Sequence, residues 1–501
     1  MVYAAIEQLV RYGIEKGLVD AQDVILTRNR LLDILSLPGE TTAVAAAKAQ
    51  TLAELLLTLT DDAVQRGLIA DTIASRDLFD TRLMGALTPL SSAVTARFQT
   101  EYQASPQAAA DWFYAFSRDV NYIRSDRIAK DIRWQTETEY GMLDITINMS
   151  KPEKDPRDIA AAKSLPQSGY PRCLLCAETE GYAGRVDFPA RQNHRILPLT
   201  LCDEAWGFQY SPYVYYNQHC IVLNQRHVPM TIELRTFDLL LDFLKQFPHF
   251  MIGSNADLPI VGGSILSHEH FQGGNYDFPM AKAPVEHPFT LKGFPSVSAG
   301  IVRWPLSVLR LRGQDPAALS RAASHILAVW REYSDASVGI LAHSSGEPHN
   351  TVTPIARFRD GQYELDIVLR NNRASAEHPL GIFHPHAEYH HIKKENIGLI
   401  EVMGMAILPA RLRQELAEIS KSIRSQMSCP DPQHTDWANA LTAAYAAKNR
   451  PLHRMSEAEL DTVLRAEVGQ VFRGVLENCG VFKRDAQGRQ AKQALIAKLT
   501  A

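Results

Sequence analysis

The sequence predicts an α+β fold, with a mainly antiparallel sheet built in two successive passages and helical regions before and after it. Three observations carry this. A helical apolar period recurs from Met1 to about Ser117, strand-like runs broken by single helices fill the stretch from Cys173 to about Leu408, and helical spacing returns from Leu412 to the end.

In the first region the period is carried by Leu31, Leu32, Ile34 and Leu35, then by Leu52, Leu55, Leu56 and Leu57, then by Leu83, Leu87 and Leu90. A strand-like Leu143-Asp144-Ile145-Thr146-Ile147 follows, and Pro152, Pro156, Pro166 and Pro171 mark a loop after it. Strands are expected at Tyr213-Val214-Tyr215-Tyr216 and Cys220-Ile221-Val222-Leu223, a helix from Thr231 to Phe247 closed by Pro248, and strands at His249 to Ser254 and Pro259 to Gln272. The second passage, from Val302, offers a helix at Ser320 to Tyr333 and strands at Val338 to His343 and Leu365 to Arg370. Each passage ends in His-x-His, at His268/His270 and His384/His386, which suggests an internal duplication. In the tail, Ser456-x-x-Glu459 has the form of a capping box. The resulting divisions are 1–117, 118–290, 291–411 and 412–501.

A chain of 501 residues is long enough for two to four packed units. A formal charge of -4 and a pI near 6.5 argue against nucleic acid or an anionic membrane as the main partner and favour small molecules. Residues 1–20 lack the unbroken apolar core of a secretory signal, and no apolar stretch approaches the roughly 20 residues that span a bilayer, so a cytoplasmic location is expected. Six cysteines are too sparse for a disulfide scaffold. Only Cys173 and Cys176 form a close pair.

Cys173-Leu174-Leu175-Cys176 has the spacing by which two thiolates grip a tetrahedral zinc, and His227 and His268 are able to complete the set; two buried or redox-active thiols are the alternative. His268-Glu269-His270-Phe271-Gln272 carries the chemistry. In an extended strand His268, His270 and Gln272 share one face, while Glu269 and Phe271 share the other. A neutral imidazole holds a lone pair at neutral pH, so His270 is able to attack phosphorus without a separate base, and the Gln272 amide to donate to the oxygen where charge builds up. The other reading is a pair of satisfied core histidines. Gln272 stands where a zinc protease would need its second histidine, which excludes that class. Gly262-Gly263 and Gly273-Gly274 fit no phosphate-loop pattern and read as backbone bends beside the strand, where a ligand comes close.

Tyr122-Ile123-Arg124 through Trp134, the Cys173 to Cys176 pair with Gly181-Tyr182, Trp206 to Tyr213, Gly262-Gly263-Ser264 to Gln272, and His390 to Gly398 together make the chain resemble the galactose-1-phosphate uridylyltransferases, in detail their second type. The resemblance implies two histidine-triad-like units at 118–290 and 291–411, between helical regions. It implies that His270 is the uridylylated nucleophile, oriented by the backbone of His268, with Gln272 stabilising the uridylyl phosphate. The better-known first type has Pro and Gly where Glu269 and Phe271 stand here.

By the same resemblance Cys173, Cys176, His227 and His268 hold zinc. Asn255 corresponds to a uridylyl-binding asparagine, and Arg124, Arg127, Gly263 and Ser264 are further substrate contacts. A second metal, iron or zinc, would use His349, His384, His386 and Glu286. The first type's sugar-binding glutamine has no counterpart where Leu408-Pro409 falls. The implied reaction converts UDP-glucose and galactose 1-phosphate to glucose 1-phosphate and UDP-galactose by a ping-pong route in galactose metabolism, in a cytoplasmic homodimer without nucleic-acid or membrane partners. Rival readings are a histidine-triad nucleotide hydrolase or phosphorylase, of which the hydrolase branch places a third histidine at position 272, and a zinc-stabilised binding module without turnover.

Overall fold

A computed structural model describes residues 2–39, 48–150 and 169–501. Two compact units emerge. One comprises residues 1–130, 150–214 and 218–227, and the other residues 131–149, 215–217 and 228–501. Pro152, Pro156 and Pro166 of the expected loop lie outside the described residues.

The first unit opens with the helical region that the apolar period predicts: Val2–Glu15, Val24–Ile34, Leu52–Gln65, Ile73–Leu87, Ser91–Ala104 and Pro106–Asp119. Thr51 and Glu54 cap the third of these reciprocally, satisfying backbone N–H groups that the first turn leaves without partners. Strands Leu197–Leu201, Glu204–Tyr210 and Cys220–Asn224 form an antiparallel meander. Its first hairpin turns through Cys202 and Asp203, both with positive φ, which matches the twist of the strands it joins. Tyr213 to Tyr216, expected as a strand, is an irregular turn with Val214 at φ 42°. The aromatic side chains that suggested a strand serve packing: Tyr216 stacks edge-on against Phe278 within the second unit.

In the second unit seven strands run antiparallel in the order His270–Gly274, Met251–Gly253, Asn350–Arg359, Gln362–Asn371, Val308–Gly313, Ser298–Val302 and Val285–Thr290. Helices Leu234–Gln246 and Pro316–Arg331 pack on this sheet and on each other. A smaller sheet joins Ile132–Thr138 and Gly141–Ile147 to Met405–Leu408, the last in parallel. The tail is helical at Leu412–Ser425, Pro432–Ala447, Glu457–Cys479 and Ala486–Thr500, and the Ser456/Glu459 capping box forms as expected. The fold class is therefore α+β with a largely antiparallel sheet and helical flanks. Among the described residues no helix is long and apolar enough to cross a membrane.

Three further strand expectations need correction. His249 to Ser254 shortens to Met251–Gly253, and Val338 to His343 is a turn that ends in a two-residue strand at His343–Ser344. Pro259 to Gln272 supplies a strand only from His270. Ile260 takes φ 73°, which a β-branched residue rarely adopts, and a Cβ at Gly262 would lie 2.5 Å from the Ala256 carbonyl oxygen. The chain folds on itself there, so an extended ladder is impossible.

The sheet centre is charged as well as apolar. Asp366 is fully buried and receives Arg310 at 2.7 Å and also Arg357, while Glu364 receives Arg357 at 2.5 Å. Burial alone would raise the Asp366 pKa, but the two guanidiniums outweigh it and hold the carboxyl below its usual range.

Candidate active site

His270 opens the strand His270–Gly274 and is buried. Its Nδ1 lies 2.7 Å from the carbonyl oxygen of His268. A carbonyl only accepts, so Nδ1 carries the proton and Nε2 keeps the lone pair. Burial pushes the His270 pKa down to about 4, against the smaller upward pull of that hydrogen bond, so the ring is neutral near pH 7.

His268 is also buried, but it precedes the strand instead of sharing its pleat. The alternation expected for His268, His270 and Gln272 thus holds only from His270 onward. Gln272 is half-buried and lies opposite Gly253 in the neighbouring strand, where a Cβ would meet the Pro354 carbonyl oxygen at 2.8 Å. Glu269, expected on the other face, is buried and ion-paired to Arg235 at 2.8 Å.

Asn255 is buried just after the neighbouring strand, and its Oδ1 accepts the Leu399 backbone N–H at 2.9 Å. Two glycines shape its seat. A Cβ at Gly263 would stand 2.7 Å from Asn255 Nδ2, and one at Gly398 would stand 3.1 Å from Oδ1. The Gly398 N–H donates to Glu401 at 3.2 Å, and Glu401 is held by buried Lys393 at 3.0 Å. The Gly398-Leu399 step at the end of the His390 to Gly398 run therefore presents the backbone that fixes Asn255, a role that no spacing in the sequence reveals. Ser264 is exposed in the bend beyond Gly263.

Arg124 and Arg127 belong to the first unit, where carboxylates of the helix Ile73–Leu87 already engage them. Arg124 makes two contacts to Asp80, at 2.5 and 2.6 Å, and Arg127 two to Asp77, at 2.9 and 2.5 Å.

Cys173, Cys176 and His227 converge in the same unit. The two Sγ atoms are 3.5 Å apart, and His227 Nδ1 lies 3.8 Å from Cys173 Sγ and 3.1 Å from Cys176 Sγ. Tetrahedral zinc with bonds of about 2.3 Å to sulfur and about 2.0 Å to nitrogen separates its ligands by about 3.5 to 3.8 Å. The donor types and spacings fit zinc. Burial, followed by the contact with Cys173, pushes the Cys176 thiol up to about 11, so without a cation beside it this thiol is protonated.

The other histidines have separate partners. His349 Nε2 contacts Ser344 Oγ at 2.5 Å and its Nδ1 contacts Asn372 at 2.8 Å. His384 Nε2 contacts Asn396 at 3.1 Å, and His386 Nε2 contacts the Ile382 carbonyl at 3.0 Å while its ring stacks on His378. Glu286 is held by Arg484 at 2.6 Å and Lys492 at 3.5 Å. Among the described residues the structure does not gather these four into a metal-holding group. It does bring Glu415, Asp431 and His434 together, which the sequence did not suggest, but His434 and Arg411 both already bind the same Glu415 oxygen, at 2.9 and 2.6 Å.

Comparison with known proteins bears on this geometry. A family model described as the N-terminal domain of galactose-1-phosphate uridyl transferase matches residues 19–229, and one described as its C-terminal domain matches residues 243–439. Curated relatives named galactose-1-phosphate uridylyltransferase include one from Bacillus subtilis (strain 168), 51% identical, covering 99% of this chain and 97% of the relative. Another, from Clostridium acetobutylicum, is 49% identical and covers 99% of each chain. Among solved structures, yeast Ap4A phosphorylase Apa2 matches with a TM-score of 0.33 at 10% identity, over 64% of this chain and 88% of that one. A likeness that weak carries no argument.

Proposed function

The chain belongs to the galactose-1-phosphate uridylyltransferase family, and from that premise we propose how its residues carry the reaction. It is a nucleotidyltransferase acting in galactose metabolism, which converts UDP-glucose and galactose 1-phosphate to glucose 1-phosphate and UDP-galactose. The observation that carries the mechanism is the buried, neutral His270 with its proton fixed on Nδ1 by the His268 carbonyl.

In the first half-reaction Nε2 of His270 attacks the α-phosphorus of UDP-glucose. An N–P bond forms, the bond from that phosphorus to the bridging oxygen breaks, and glucose 1-phosphate leaves with the electron pair. In the second, a phosphate oxygen of galactose 1-phosphate attacks the same phosphorus and the pair returns to Nε2. No proton transfer is required at Nε2. Gln272 donates its amide to the non-bridging oxygen as charge develops. Asn255 binds the uridylyl group with Gly263 and Ser264 beside it, and Arg124 and Arg127 are outer phosphate contacts that share their guanidiniums with Asp80 and Asp77.

Cys173, Cys176, His227 and His268 hold a zinc ion in this reading. When bound, the metal supplies a cross-link between separated segments and no step of the transfer. The two histidine-triad-like units are assigned to residues 118–290 and 291–411, and the working enzyme to a cytoplasmic homodimer with no nucleic-acid or membrane partner.

Initial-rate kinetics test the exchange. Varying UDP-glucose at several fixed galactose 1-phosphate concentrations should give the parallel double-reciprocal lines of a ping-pong route. Intersecting lines would replace it with direct transfer in a ternary complex.

A further inference from the structure

We propose that Arg235 is a positioning residue for the nucleophile: its ion pair with Glu269 holds the peptide whose carbonyl keeps the His270 proton on Nδ1. The inference rests on His270 as the uridylylated residue.

The peptide linking His268 to Glu269 is tied on both sides. Its N–H, that of Glu269, donates to the Val228 carbonyl at 2.7 Å, and its C=O, that of His268, accepts from His270 Nδ1 at 2.7 Å. The orientation of one peptide plane therefore selects the tautomer and angle of the ring. That plane lies just outside regular structure, since the strand begins at His270 and the residues before it follow a glycine-broken bend. Sheet pairing alone does not hold it.

The Glu269 side chain adds a further hold. It is only 2% exposed, and a carboxylate so buried is stable only when paired. Arg235 meets both of its oxygens, at 2.8 and 3.3 Å. Arg235 sits in the first turn of the helix Leu234–Gln246, a rigid mount whose start is fixed by the contact of Glu233 N–H with Thr236 Oγ1 at 3.1 Å and of that hydroxyl with the Thr231 carbonyl at 3.0 Å. A second strap, Met230 N–H to the Leu266 carbonyl at 2.9 Å, ties the same two segments.

The test uses the full-length protein carrying 15N-labelled histidine. The rate of uridylylation by UDP-glucose is measured in single turnover beside the imidazole nitrogen spectrum of the parent, Arg235→Ala, Arg235→Lys and Glu269→Gln. Misplacing a reacting group by about 1 Å costs on the order of 100-fold. Arg235→Ala and Glu269→Gln should slow uridylylation about 10- to 100-fold, with half-saturation by UDP-glucose moved less than about 2-fold, and should give His270 a mixed tautomer spectrum. Arg235→Lys should recover part of the rate. Should Arg235→Ala fail to fold, the nearly isosteric Glu269→Gln carries the test alone. Parent-like rates in both variants, or slow rates with an unchanged tautomer, would overturn the proposal. A parent that is never uridylylated would instead remove the nucleophile reading, while the spectra still report whether the pair sets the tautomer.

Discussion

Gly263→Ala is a one-methyl test of how Asn255 is held. The added Cβ would lie 2.7 Å from Asn255 Nδ2, about 0.7 Å inside the 3.4 Å at which ordinary contact begins. Asn255 has little room to retreat. Its Oδ1 is bonded to the Leu399 N–H at 2.9 Å, and the backbone at Gly398 closes the space behind that oxygen. Either the amide moves and strands a buried N–H, at about 1–3 kcal/mol, or the loop shifts to relieve overpacking, at a similar about 1–3 kcal/mol. We expect about 2 kcal/mol of destabilisation in denaturant unfolding. Transfer of the uridylyl group should fall about 30-fold, the equivalent of that energy if it is lost wholly from the transition state. Gly398→Ala, with its looser 3.1 Å approach, should show the same pattern more weakly. A Gly263→Ala protein within about 0.3 kcal/mol and 2-fold of the parent would refute this account of the seat.

Cys173→Ser should lower zinc by one equivalent per chain in elemental analysis of purified protein, and equal zinc in both proteins would exclude the Cys site. Asp80→Asn should destabilise the fold without abolishing uridylylation, because Arg124 loses a buried bidentate partner; a complete loss of labelling in a folded variant would contradict this. Asp366→Ala should cost about 3–5 kcal/mol in chemical unfolding, since it leaves Arg310 and Arg357 facing each other without their shared carboxylate. Because the folded Asp366 pKa is depressed, its stabilising contribution is complete above the unfolded value of about 3.9 and is lost as pH falls through the lower folded value. The parent should therefore lose stability more steeply below about pH 4 than Asp366→Asn does, and parallel acid titrations would disprove the linkage.

Periodicity read the fold well where one side of an element faces water. The N-terminal helices, the helix ending before Pro248 and the tail capped by Ser456 all declared themselves by spacing. It failed where tertiary contacts override local pattern. Tyr213 to Tyr216 has strand composition but turns at Val214, and Pro259 to Ser267 looks extended until the crowding at Ile260 and Gly262 is seen. The long strand Asn350–Arg359 went unseen because its pattern is broken by Pro354 and by Arg357, which is buried here against Glu364 and Asp366. Of the candidate site, the convergence of Cys173, Cys176 and His227 was partly legible, since the Cys-x-x-Cys spacing offers a metal pair while leaving two buried thiols as the alternative. Arg235 and Leu399 were not, since one acts through a side chain 34 positions from Glu269 and the other through a backbone N–H 144 positions from Asn255.

The central claim is that His270 Nε2 carries the uridylyl group. Intact-protein mass spectrometry after incubation with UDP-glucose alone tests it most directly, with the modified residue located by fragmentation under conditions that spare the acid-labile N–P bond. We expect one UMP adduct per chain, placed on His270, discharged by galactose 1-phosphate and absent from His270→Asn. An adduct that persists in His270→Asn, or a parent protein that never gains one while still exchanging the sugars, would contradict the account.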